Sequence, residues 1–157
     1  MARLQHTNDP WETEVFAWIK GDGAPKLNAQ KDSEVIVYAE GDELIGFSGI
    51  GPYKVNWPEP DSDRVKHLHV IAVGLDQRYR RLPEGPREQR YSWRILESIA
   101  ASVASKPKFP RIVTLFVHPL NARAIKLYCD YGFRFLPHQV YVDPETRTEY
   151  PMMVYSF

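Results

Sequence analysis

Residues 112–135 read IVTLFVHPLNARAIKLYCDYGFRF, and the architecture turns on this stretch. Arg111–Val117, RIVTLFV, is a short apolar run rich in β-branched residues, which reads as a buried strand. Asn121 is a good helix N-cap, Gly132 a good residue to follow a helix end, and Ala124 and Tyr128 stand between them at helical spacing. The segment Asn121–Tyr131 is therefore expected to be a helix. Phe133–Leu136 and Met152–Phe157 then supply two further strands, joined through Asp143-Pro144.

Working outward toward the N-terminus, Tyr91–Ser105 is expected to be a helix with Ile95, Ile99 and Val103 on one face beside Leu96. Pro107 and Pro110 close it. Before it lies Leu75–Pro86, rich in Arg and broken by Pro and Gly, which reads as irregular. Lys66–Val73, KHLHVIAV, reads as a strand, and Gly51–Asp63, with three prolines, as a loop. Glu34–Glu40 and Leu44–Ile50 form a hairpin around Gly41-Asp42. Residues 21–33 read as a loop with a short helical turn. Pro10–Lys20 is expected to be a helix capped by Asp9, with Trp11, Val15, Trp18 and Ile19 on one face. The strand–helix–strand centre implies a right-handed crossover between parallel strands in a mixed sheet. The expectation is one α/β domain over residues 1–157, a usual size for a single core.

Apolar residues make up 43% and charged residues 25%, the profile of an ordinary globular protein. No apolar run is long enough to cross a bilayer, and MARLQHTNDPWETEV lacks the pattern of a secretory signal. A lone cysteine, Cys129, forms no internal disulfide, so a reducing cytoplasm is the expected compartment. Cys129 itself reads as a core residue. The net charge of zero argues against wholesale nucleic-acid binding. The charge is nevertheless uneven: residues 1–70 hold 12 acidic and 7 basic side chains, residues 71–157 hold 8 and 13. One side would suit a cation and the other an anion.

The strand followed by Asn-x-x-Ala-x-x-x-Tyr-x-x-x-Gly-Phe, matched by Asn121, Ala124, Tyr128, Gly132 and Phe133, resembles the second half of the GNAT superfamily of N-acetyltransferases. That resemblance implies an α/β fold with a mixed, mostly antiparallel central sheet, a splayed parallel pair and helices on both faces. It implies acetyl-CoA as the cofactor and a primary amine as the acceptor. Tyr128 becomes the general acid that protonates the departing thiolate, and Asn121 and Ala124 face the coenzyme. Backbone groups of Ile71, Ala72 and Val73 would take the pantetheine arm as an added strand. The family's pyrophosphate loop aligns with Arg87, Arg90 and Ser92 in REQRYS, beside Tyr91. Arg90 replaces the usual glycine, and GLDQRYRRLPEGP is an insertion, so arginine side chains are expected to take over from backbone amides. His67 and His69, on one strand face, are candidates for receiving the amine's proton.

Two other classes stand beside the enzyme reading. One is a catalytically idle acyl-CoA-binding or protein-interaction module, motivated by the missing glycine. The other is a structural α/β domain without coenzyme. A loose likeness of the opening residues to tRNA-acetylating toxins is opposed by the acidic N-terminal part, where Glu12, Glu14, Asp22, Asp32, Asp42, Glu43, Glu59, Asp61 and Asp63 would attract a cationic acceptor. No metal site is expected, and a homodimer is compatible with the sequence.

Overall fold

The computed structural model describes Gly21 and residues 23–157. The helix expected over Pro10–Lys20 lies outside the described residues. The elements run α1 (Gly23–Asn28), β1 (Glu34–Glu40), β2 (Glu43–Asn56), β3 (Arg64–Leu75), two short 3-10 turns at Gln77–Tyr79 and Arg87–Gln89, and α2 (Tyr91–Ala104). Then come β4 (Ile112–Phe116), α3 (Ala122–Tyr131), β5 (Arg134–Val142) and β6 (Glu149–Ser156). The six strands hydrogen-bond in the order β1-β2-β3-β4-β6-β5. The β1–β2, β4–β6 and β5–β6 pairs are antiparallel and β3–β4 is parallel, which is the expected mixed sheet. No helix among the described residues is long and apolar enough to cross a membrane.

The chain divides into two compact units, one running through Gly51 and resuming over Ile71–Ile99, the other comprising Pro52–Val70 and Ala100–Phe157. In the first, β1 and β2 turn at Gly41, whose φ of 58° suits the residue that carries no Cβ. Ile45, Phe47 and Ile50 of β2 are buried, as are Ile95, Leu96 and Ile99 of α2. A Cβ on Gly46 would meet the Gly74 carbonyl oxygen at 2.4 Å, so β2 and the end of β3 pass each other closer than any side chain allows.

In the second unit, Val55, Ile112, Leu136, Met152 and Val154 form a buried cluster against which Trp57, Val65 and Phe116 pack. β3 runs two residues past each expected end, to Arg64 and Leu75, and two other strands outrun theirs by six. β2 continues through Gly51-Pro52 to Asn56, because Val55, at 0% exposure, anchors the extension in the core. β5 continues past Leu136 to Val142, absorbing Pro137 in a register shift between Leu136 and Val140. Proline is tolerated there because a bulge breaks the ladder locally and β5 ends the strand order. The β5–β6 turn is held by Asp143, whose Oδ1 accepts from the backbone N–H groups of Glu145 and Thr146.

Candidate active site

In the second unit β3 and β4 pair in parallel through Leu68–Val113, His69–Thr114 and Val70–Leu115. This register sets Thr114 beside both histidines, all three buried. Thr114 Oγ1 lies 2.6 Å from His67 Nε2 and 2.7 Å from His69 Nδ1. His67 Nδ1 is 3.3 Å from the Val65 carbonyl. A carbonyl only accepts, so His67 carries its proton on Nδ1 and its lone pair on Nε2. The Thr114 hydroxyl therefore donates to His67, and its oxygen accepts from His69 Nδ1–H. The chain of donors fixes both tautomers and leaves the lone pair of His69 on Nε2.

Burial lowers the pKa of His67, the Val65 carbonyl opposing it in part. His69 is pushed down to about 3, chiefly by burial and further by the charge His67 would carry. Both rings are neutral at working pH. His69 thus departs from an ordinary imidazole base: it accepts a hydrogen bond readily and a full proton at a cost. Thr114 was missed in the sequence. Its signal was a polar residue inside the apolar run IVTLF, whose hydroxyl needs a buried partner.

The β4–α3 segment carries the other predicted residues. Asn121 caps α3, its side-chain oxygen accepting from Ala124 N–H at 3.1 Å. Gly132 ends the helix with φ of 118°. Tyr128 is 8% exposed and packs on Phe133 at 5.6 Å between ring centroids. Burial pushes its phenol up to about 12, so it stays protonated at any working pH. Cys129 is exposed rather than in the core. Successive helical residues are turned about 100° apart, so a buried Tyr128 faces its neighbour outward.

In the first unit Ile71, Ala72 and Val73 continue β3 beyond Val70, where the described register with β4 ends. Ile71 is 46% exposed, unusual for an apolar residue on a central strand. The Arg-rich insertion is built by specific contacts. Asp76 is buried and accepts from Arg78 Nε at 3.2 Å and Nη2 at 3.1 Å. Tyr79 donates to Glu43 and Tyr91 to Glu40, two acids of the hairpin. The Tyr91 N–H at the start of α2 bonds the Leu82 carbonyl at 2.9 Å. Arg87 is exposed, 3.7 Å from Glu88 and over the Trp93 ring. Ser92 stands half-buried in the first turn of α2. Arg90 Nε is buried without a hydrogen-bond partner, an orphan that an anionic oxygen would satisfy. Among the described residues no cluster of His, Cys, Asp or Glu is arranged to hold a metal ion.

No family model and no curated protein matches the sequence. Solved structures match its fold. Arabidopsis thaliana NAA60 in complex with a bisubstrate analogue superposes with a TM-score of 0.62 at 16% identity, covering 93% of this chain and 91% of that one. The aminoglycoside acetyltransferase AAC(6')-Ib in complex with coenzyme A and kanamycin gives 0.60 at 18%, covering 89% and 76%. The ribosomal-protein-S18-alanine N-acetyltransferase from Escherichia coli gives 0.56 at 18%, covering 95% and 79%. The chain has the fold of the GNAT acetyltransferases.

Proposed function

We propose that the chain is an N-acetyltransferase that moves an acetyl group from acetyl-CoA to a primary amine. The observation that carries this reading is β3: a strand inside the sheet whose parallel register ends at Val70 and whose next residue, Ile71, is exposed. An extended pantetheine arm would take the backbone groups of Ile71, Ala72 and Val73 and cover that side chain. Arg90 Nε supports the phosphate end, with Arg87, Tyr91, Ser92 and the α2 amides beside it. In the second unit, the family resemblance assigns Asn121 and Ala124 at the start of α3 to the coenzyme.

Acetyl-CoA supplies the thioester: a C–N bond forms, the C–S bond breaks, and the amine loses one proton while the thiolate gains one. Tyr128 O–H donates to the sulfur. The amine proton goes to His69 Nε2, whose Nδ1 proton shifts to Thr114 as the Thr114 proton shifts to His67 Nε2. His69 is left neutral in its other tautomer and the charge comes to rest on His67, whose bond to the Val65 carbonyl favours the protonated ring, until solvent takes that proton. Solvent returns the proton to Tyr128.

Calorimetry with acetyl-CoA, followed by thiol release with a panel of primary amines, tests the reading. Binding with thiol release only when amine is present supports it. Failure to bind the coenzyme at millimolar concentration would sink it.

A further inference from the structure

A row of aromatic rings crosses one sheet face of the second unit. Tyr53 of β2 lies 4.8 Å from His69 of β3, which lies 5.0 Å from Phe116 of β4. Phe116 is 5.8 Å from Tyr141 of β5, and Tyr141 is 6.0 Å from Tyr150 of β6, its cross-strand partner. Five strands of different sequence origin thus place five rings in succession, and the row runs through the histidine whose lone pair is on Nε2.

Folding alone does not account for this. Tyr53 is 38% and Tyr141 45% exposed, leaving aromatic surface in water that burial would have stabilised. Elsewhere the chain covers its rings with its own cations: Arg78 over Tyr79, Arg94 over Tyr91, Arg134 over Trp57 and Lys66 over Phe109. The five residues of the row include no carboxylate to hold a bare ammonium. What they offer is a band of mutually tilted rings, Tyr53 and Phe116 standing at 86° to each other, with a hydrogen-bond acceptor within it.

Resting on the acetyltransferase reading, we propose that this row is the acceptor subsite and that the acceptor is a primary amine carrying a flat aromatic body. The aromatic body packs among Tyr53, Phe116 and Tyr141, face-on to one ring and edge-on to another as their mutual tilt requires, and the amine N–H donates to His69. An aliphatic polyamine of equal charge gains nothing from the stacking surface.

The test compares 2-phenylethylamine with 2-cyclohexylethylamine, matched in charge, reach and bulk but differing in aromaticity. Both are titrated into the full chain, with and without coenzyme, while the ring-proton NMR signals of the tyrosines are followed. The phenyl amine should bind about three- to tenfold tighter, the range one or two aromatic contacts supply. Tyr53→Leu and Tyr141→Leu should each remove most of that advantage, whereas Phe157→Leu, an exposed ring outside the row, should keep it. Equal affinities, or an advantage that survives both substitutions, overturn the proposal. Because binding is read without turnover, a phenyl preference that depends on Tyr53 and Tyr141 upholds the subsite even if coenzyme fails to bind. Thiol release with no preference for the phenyl amine refutes the subsite while leaving the acetyltransferase reading intact.

Discussion

Acidification should destabilise this protein above the pH at which carboxylates protonate, and His69 should account for a defined share of the loss. Its pKa falls from 6.5 in the unfolded chain to about 3 in the fold. Between those values the unfolded chain holds a proton that the folded chain lacks, so stability drops as pH falls. Above pH 6.5 both states are neutral and nothing is lost. The slope is about 1.4 kcal/mol per pH unit for one fully buried histidine. From pH 6.5 to pH 5 the loss is roughly 2 kcal/mol, or about 4–8 °C in Tm for a chain of this size. His67, shifted in the same direction by burial, adds to it. The window stays above the range of Asp143, whose carboxyl is held below its usual value by hydrogen bonds from Thr146 and Glu145. The assay is urea unfolding at half-unit intervals between pH 7.5 and 5, on wild type and His69→Asn. Asparagine places its amide N–H near the Nδ1 position, keeping the bond to Thr114 while removing the titration. The variant should be less stable at pH 7 and its stability should depend less steeply on pH. Parallel slopes in the two proteins would refute both the burial argument and the assignment of His69 as neutral.

Three further outcomes follow from the geometry. Tyr128→Phe should leave Tm and coenzyme affinity nearly unchanged while lowering kcat about 10²–10⁴-fold, read by thiol release at saturating amine; unchanged kcat returns the ring to packing on Phe133. Arg90→Ala should weaken coenzyme binding about 10- to 100-fold by calorimetry, and Arg87→Ala less, because Arg87 is exposed and already beside Glu88; equal, negligible effects would mean the insertion does not meet phosphate. Gly46→Ala should cost about 1–3 kcal/mol or more in urea unfolding, since the methyl would sit 2.4 Å from the Gly74 carbonyl and 3.2 Å from Ile95 Cδ1; wild-type stability would show that β2 yields more easily than close packing allows.

The periodic parts of the fold were legible in the sequence. Ile95, Leu96, Ile99 and Val103 are all buried as helical spacing requires, and Asn121 and Gly132 bound α3 as their chemistry predicts. The errors share one cause. The sequence pattern places Gly51-Pro52 in a loop and ends the Phe133 strand at Leu136, yet Val55 and Met152, through its pairing with Leu136, hold the longer strands in the core. Local propensity yields when the flanking residues bury enough apolar surface. The site was legible only where it lies along one element. His67 and His69 could be placed on one strand face, but the third member of their network is 45 residues from the nearer one, and strand register alone joins them. The aromatic row is less legible still, because each ring comes from a different strand.

The insertion shows how a loop is rebuilt when backbone freedom is missing. Gly85, with φ of 128°, is its only internal glycine, and Arg81 adopts φ of 64°, a conformation costly for a residue with a Cβ. Such a segment needs side-chain contacts to hold its path. Asp76 with Arg78, Glu43 with Tyr79, and Glu40 with Tyr91 provide them, and the Leu82 carbonyl joins the first amide of α2. The hairpin acids are thus partly engaged in ordering an arginine-rich loop, and Glu43 contributes less to a field for a cationic acceptor than its sequence position suggested. Arg78 and Arg94 are likewise engaged, by Asp76 and by the Tyr91 ring. A count of charges along the chain overstates what each sign can offer to a ligand. Arg90 Nε at the end of this segment is a buried donor without a hydrogen-bond partner, while the first amide of α2 is already taken by the Leu82 carbonyl; on the acetyltransferase reading the guanidinium therefore has more to offer a phosphate at this helix end than that amide has.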